Sequence, residues 1–237
     1  MTGFKSKIFS AAALFVTAGV AFGLVAPKSA EATLMMRLTN GATTIDVTDE
    51  AVGDLAFGAP GTILFAGNVG AFTTVGSVGL AQSFSNPDST QLNINLQSAI
   101  TDGTTTETLS ILLTETGLTL DEIGTAIASA GFTQANNTTM SVRAYIDDSN
   151  AAFGTGTQLF DFGPTAGTFN TDGFTTFGGI DPLFSLTLEL VLTHGLSNAP
   201  VSTTGAAQVN ILPEPATTAV LGLGLVAAAL LRRRRKV

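Results

Sequence analysis

The last 27 residues, Ile211 to Val237, constrain the chain most. They place a stiff Pro213-Glu214-Pro215 in front of an uncharged run, Ala216 to Leu231, and end on Arg232, Arg233, Arg234, Arg235 and Lys236. At a rise of ~1.5 Å per residue that run makes a helix of about 24 Å, and the long Arg side chains extend its reach toward the ~30 Å of a hydrocarbon core. Each proline holds the residue before it extended, and Pro215 is tolerated at a helix start because its missing N–H has no partner there. Glu214 then lies at the positive end of the helix dipole. The expectation is a single transmembrane helix over 216–231, with an exposed, unfolded tripeptide outside and the basic cluster 232–236 held in the cytoplasm by the positive-inside rule.

The N-terminus matches this tail. Lys5 and Lys7 precede an apolar stretch from Ile8 to Ala26, and Ala30-Glu31-Ala32 supplies small residues at both cleavage positions. Residues 1–32 therefore read as a signal helix removed after export by signal peptidase, with the mature chain starting near Thr33. Three units follow: a signal peptide (1–32), an exported domain (33–211) and a tail (212–237).

Charge sorts along the same lines. Between Thr33 and Ile211 only Arg37 and Arg143 are basic, against sixteen acids, a net charge of −14 that the whole-chain value of −8 conceals. Such a surface repels nucleic acid and anionic lipid and attracts cations or basic partners. The chain has no cysteine, which removes thiol chemistry and Cys-based metal sites, and a domain of this size folds without disulfides.

The exported segment reads as mainly β. Gln91–Gln97, Thr139–Ile146 and Phe184–Leu192 alternate strictly, and further strands are expected at Thr44–Thr48, Thr62–Ala66, Ala71–Val75, Leu109–Thr114, Gln158–Phe162 and Ala207–Ile211. Turn clusters such as Gly58-Ala59-Pro60-Gly61 and Asp147-Asp148-Ser149-Asn150 separate them. This spacing predicts an antiparallel β-sandwich of jelly-roll or immunoglobulin-like type. One short helix is expected where the capping box Thr119-Leu120-Asp121-Glu122 precedes Ile123, Ile127 and Ala130 at helical spacing.

The order Pro-Glu-Pro, apolar helix, Arg run resembles the PEP-CTERM sorting tail of Gram-negative bacteria. The resemblance implies recognition by a membrane-embedded exosortase, a cysteine transpeptidase-like enzyme, with Pro213, Glu214 and Pro215 as the processing motif and Arg232 to Lys236 as the stop signal. It also implies delivery to the cell surface or outside, in association with exopolysaccharide and biofilm matrix. Classification names for such tails sometimes mention ice binding, an activity that a sorting signal does not carry. In the body, Gly61-Thr62-Ile63-Leu64-Phe65, Gly70-Ala71-Phe72, Leu109-Ser110-Ile111-Leu112, Ala144-Tyr145-Ile146-Asp147 and Ser185-Leu186-Thr187 look like a recurrent ectodomain of PEP-CTERM proteins, implying a β-sandwich of unassigned activity.

Enzyme signatures are scarce. His194 is the single histidine, no Gly-x-Ser-x-Gly elbow accompanies it, and a structural place at a loop edge is expected for it. Zinc sites built from several His or Cys are excluded. Trp is absent and Tyr145 is the single tyrosine, which leaves no aromatic platform for a glycosidase carboxylate pair. Calcium favours oxygen ligands on loops. Asp46, Asp49, Glu50 and Asp54 form one candidate cluster, and Asp147, Asp148 and Asn150 another, although neither has EF-hand spacing and solvated acidic turns are the plainer reading. The expectation is a non-catalytic surface or matrix protein, the alternative a carbohydrate- or calcium-binding adhesive module.

Overall fold

Twelve strands carry the fold in the computed structural model, which describes residues 32–213 apart from 42, 84–88, 120–123, 135–136 and 179–182. They are β1 (Thr33–Asn40), β2 (Thr43–Thr48), β3 (Thr62–Val69), β4 (Phe72–Ser83), β5 (Thr90–Thr101), β6 (Glu107–Leu118), β7 (Gly124–Gln134), β8 (Thr138–Asp147), β9 (Thr157–Ala166), β10 (Phe169–Phe177), β11 (Phe184–His194) and β12 (Val201–Pro213). Two six-stranded antiparallel sheets result, ordered β2-β1-β6-β11-β8-β9 and β10-β7-β12-β5-β4-β3.

The sheets face each other across one apolar layer, and the alternation read in the sequence decides which side chains fill it. Leu92, Ile94 and Leu96 of β5 point inward, as do Met140, Val142, Ala144 and Ile146 of β8 and Leu186 to Leu192 at every second place of β11. Burying each such side chain contributes about 1.5–3 kcal/mol, so these strands hold the sandwich together more than their hydrogen bonds do. From β5 onward the chain passes from one sheet to the other at every connection except β8–β9, whose strands are neighbours in one sheet. The hairpins β1–β2 and β3–β4 extend one edge of each sheet.

The expected helix is absent, and no helix occurs among the described residues. Residues 120–123 lie outside them, but Gly124–Gln134 is strand β7, hydrogen-bonded on both sides to β10 and β12. Ala126, Ala128, Ala130 and Phe132 face the core with period two, whereas Ile127, counted on the apolar helix face, points to solvent. Two ladders of non-local backbone bonds override a local capping signal, and the Thr, Ser and Gly of this stretch are weak helix formers. Strands β1 and β10 were also not expected.

The strand directions place both chain ends of the sandwich together. Thr33 of β1 pairs with Thr116 near the end of β6, and Pro213 at the end of β12 pairs with Gly124 at the start of β7. Pro213 thus closes a strand, instead of belonging to an unfolded tripeptide, and the folded unit runs two residues past the expected boundary at Ile211. The predicted signal peptide through Glu31, with Ala30, lies outside the described residues, and Ala32 is exposed just before β1. Glu214, Pro215, the expected transmembrane helix and Arg232 to Lys236 also lie outside. Among the described residues no helix is long and apolar enough to cross a membrane.

Candidate functional site

The acids singled out in the sequence are spent on holding the fold. Asp46 of β2 lies on an outer sheet face and takes a two-pronged ion pair from Arg37 of β1, with distances of 2.7 and 2.8 Å. The Arg37 hydrogen bond holds the Asp46 carboxyl below its ordinary range, and the guanidinium also lies 4.3 Å from the Phe153 ring centre. Farther along, the β2–β3 loop is tied by its own carboxylates. Asp54 accepts from the amides of Ala56 (2.8 Å), Leu64 (3.0 Å) and Glu50 (3.3 Å). Asp49 accepts from Gly61 at 2.7 Å, and both Glu50 oxygens accept from Gly58 at 3.1 Å.

The second acidic cluster behaves alike. Asp147 accepts from the Ser149 amide at 2.8 Å and from its hydroxyl. Asn150 accepts from the Gly117 amide at 2.7 Å, and Asp148 is exposed to solvent. Among the described residues no three His, Cys, Asp or Glu side chains converge as metal ligands. Neither candidate calcium cluster converges: Asp46 turns to Arg37, Asp49, Glu50, Asp54 and Asp147 turn to backbone amides, and Asp148 faces solvent.

His194 is the last residue of β11, with the structural role expected there, but it faces the core and not the loop. It takes the next inward place after Leu192 in β11, is fully buried, and bridges the sheets: Nδ1 is 3.0 Å from Thr101 Oγ1 and Nε2 is 3.0 Å from Thr203 Oγ1. Phe72 packs on its ring at 5.1 Å. Burial lowers its pKa to about 4, so near neutral pH the ring is uncharged, accepting from one threonine and donating to the other. At the opposite end Glu115, the inward successor of Leu109, Ile111 and Leu113 on β6, accepts a 2.7 Å hydrogen bond from Thr90 of the facing sheet. Burial pushes its carboxyl pKa up.

Two open depressions are formed by described residues. One, at the sandwich end carrying the β5–β6 and β11–β12 loops, is lined by Asp102, Thr104, Asn137, Leu196, Ser197 and Asn198. Its polar groups bond to one another, as where Thr104 donates to Asp102 and Asn137 to the Leu196 carbonyl. The other is a shallow trough of ≈ 220 Å³ on the outer face of the second sheet. Gly131, Ala206 and Ser129 form its low floor, with Asn93, Asn170 and Gln208 around them. Strand register builds it: Asp172, Ser129, Gln208 and Asn93 stand abreast on β10, β7, β12 and β5. Gln91 donates to Gln208 at 3.0 Å and holds that side chain in place.

Charge separates the sheets. In the six strands of the second sheet Asp172 is the single charged residue, while both cations, Arg37 and Arg143, lie in the first. Arg143 sits 3.4 Å from each of Asp161 and Glu189 there. The trough itself is lined by neutral amide donors and acceptors, with the exposed Asp172 at its β10 margin. Sequence reasoning missed it, since its lining comes from four strands; alternating amides at Gln91, Asn93 and Asn95 were the one local signal.

No family model matches the chain, and no curated protein does. Solved structures similar to it include that of infectious bursal disease virus Gx strain, with TM-score 0.27 and 10% identity over 77% of this chain and 56% of that one. The crystal structure of the infectious bursal disease virus VP2 subviral particle gives 0.29 and 11% over 76% and 51%. The Gt strain structure gives 0.23 and 12% over 77% and 56%. The chain spans about half the length of the structures it matches.

Proposed function

We propose that the protein is an exported, non-catalytic surface or matrix component whose sandwich is a jelly roll, sorted by an exosortase through Pro213-Glu214-Pro215 and delivered into an exopolysaccharide-rich matrix. One observation supports this reading: the first and last strands meet the two expected sorting signals. β1 begins at Thr33, directly after Ala30-Glu31-Ala32, and β12 ends at Pro213, the first residue of the processing motif. The jelly-roll reading rests on β5–β12, which wind as two interleaved four-stranded sheets, β10-β7-β12-β5 and β6-β11-β8-β9. Mass spectrometry of cell-associated and released protein tests the proposal. It expects a released chain starting near Thr33 and ending near Glu214; intact protein in the cytosol overturns it.

The amide trough favours a second reading, a module that binds neutral polysaccharide. Amides both donate to and accept from hydroxyls, and the acidic remainder of the surface disfavours anionic polymers. On a glycan array this reading expects retention of neutral chains that weakens in an Asn93→Ala, Gln208→Ala double variant. Equal retention by the variant removes it.

A further inference from the structure

Seven large apolar side chains are exposed among the described residues, and their positions are uneven. Val52, Leu55 and Phe57 project from the β2–β3 loop, with Phe57 74% and Val52 fully exposed, and Leu212 is next to last in β12. All four lie at the sandwich end where β1 begins and β12 finishes. Leu196 alone marks the far end, while Ile127 and Phe174 face each other partway along the side.

The loop is built to hold this cluster outward. Asp54 is buried and ties Ala56, Leu64 and Glu50, the Glu50 carboxylate clamps Gly58, and Leu55 donates its N–H to the Leu64 carbonyl. Its backbone is fixed by acids turned inward, and its apolar side chains face solvent. A loop that merely carried the chain from one sheet to the other would gain nothing from that inversion.

The position of the chain exit selects the occupant. β12 and β3 are three strand places apart in one sheet, about 14 Å at ~4.8 Å per place. The uncharged run from Ala216 starts three residues after Pro213. With that run embedded, the sandwich end bearing Val52, Leu55, Phe57 and Leu212 lies within a few residues of the lipid surface.

We infer that the β2–β3 loop is a membrane-docking tip that seats Val52, Leu55 and Phe57 in the interfacial layer of the bilayer before the tail is cut. The inference rests on the proposed sorting tail. Docking would orient the domain and hold Pro213 and its motif at a defined height above the lipid. The acids in the loop make zwitterionic headgroups of zero net charge the fitting surface and anionic ones a poor one.

The test uses the mature chain, Thr33 to Val237, in vesicles of phosphatidylcholine whose acyl chains carry bromine, a quencher of tryptophan. The chain has no Trp, so Phe57→Trp introduces a single reporter at the tip and Leu196→Trp one at the opposite end. Emission of Phe57→Trp is expected at shorter wavelength and reduced about twofold or more, with Leu196→Trp unaffected. Adding anionic lipid should weaken the quenching. Alkaline washing separates the possible failures. Chain that washes off sinks the sorting-tail reading. Chain that stays while both reporters look alike overturns the docking tip. A blue shift at Phe57→Trp without bromine quenching also overturns it, in favour of a second copy or another protein covering the loop.

Discussion

The Nδ1 atom of His194, on β11, lies 3.0 Å from the hydroxyl of Thr101, on β5 of the opposite sheet. A bulge makes this contact possible. In β5, Leu92, Ile94 and Leu96 face inward, but Leu96 and Ser98 pair with the consecutive residues Ser77 and Gly76 of β4, leaving Gln97 over. The extra residue reverses the alternation, so Ala99 and Thr101 face the core where Ser98 and Ile100 would have done. With Thr203 on the second ring nitrogen, the histidine is fully partnered and joins the two sheets at one end.

This arrangement predicts an acid-sensitive sandwich. The folded-state pKa of His194, about 4, lies below the unfolded value near 6.5. Its contribution is fully present above 6.5 and is lost as pH falls toward 4, where the unfolded chain takes a proton that the folded one resists. The loss amounts to about 3 kcal/mol. Urea melts at a series of pH values should show the decline, and a His194→Gln variant should lack that component.

Glu115 acts in the opposite sense. Burial raises its pKa, so its stabilising contribution is present below the ordinary carboxylate range and is lost as pH rises through the folded value. Glu115→Gln keeps an acceptor for Thr90 without the buried charge. The variant is expected to be more stable at pH 7 by roughly 1 kcal/mol, with the advantage vanishing in acid. Thermal melts at two pH values check this.

The loop carboxylates give a further expectation. Asp54→Ala strands the amides of Ala56 and Leu64 and should cost about 2–3 kcal/mol in a urea melt. With Asp49, Glu50 and Asp54 bound to backbone amides, millimolar calcium should leave the melting temperature of the native protein unchanged. A calcium-dependent rise would restore the metal reading.

Gly61 ends the same loop at φ +78°, and a Cβ there would stand 2.8 Å from the Ala81 carbonyl oxygen. Its own N–H goes to Asp49 and its carbonyl accepts from Ala81. Backbone cannot yield as a side-chain tip can. Gly61→Ala should therefore destabilise by about 2 kcal/mol or more, measured by denaturant midpoint.

Much of the fold was legible locally. Alternation in Gln91–Gln97, Thr139–Ile146 and Phe184–Leu192 identified the strands and their inward faces, because a half-buried sheet imposes period two on any sequence that fills it. Where the inward residues are small, as Ala126, Ala128 and Ala130 are in β7, the periodic signal is faint and a capping box outweighs it. β10 buries little on either face, and its pattern of half-buried and exposed residues carries no comparable hydrophobic signal.

From the sequence alone came the strand-rich body, the acidic charge of residues 33–211 and the expectation of sorting signals at both ends, all properties of neighbouring residues. Register belongs to the tertiary structure. It sets Asn93, Ser129, Asn170 and Gln208 around one trough, brings Thr101 and Thr203 to His194, and gathers Val52, Leu55 and Phe57 at the end where Pro213 leaves the sheet. A one-residue shift in pairing would turn each of the strand side chains among them to the other face. Only the summed burial across the two sheets selects against that shift.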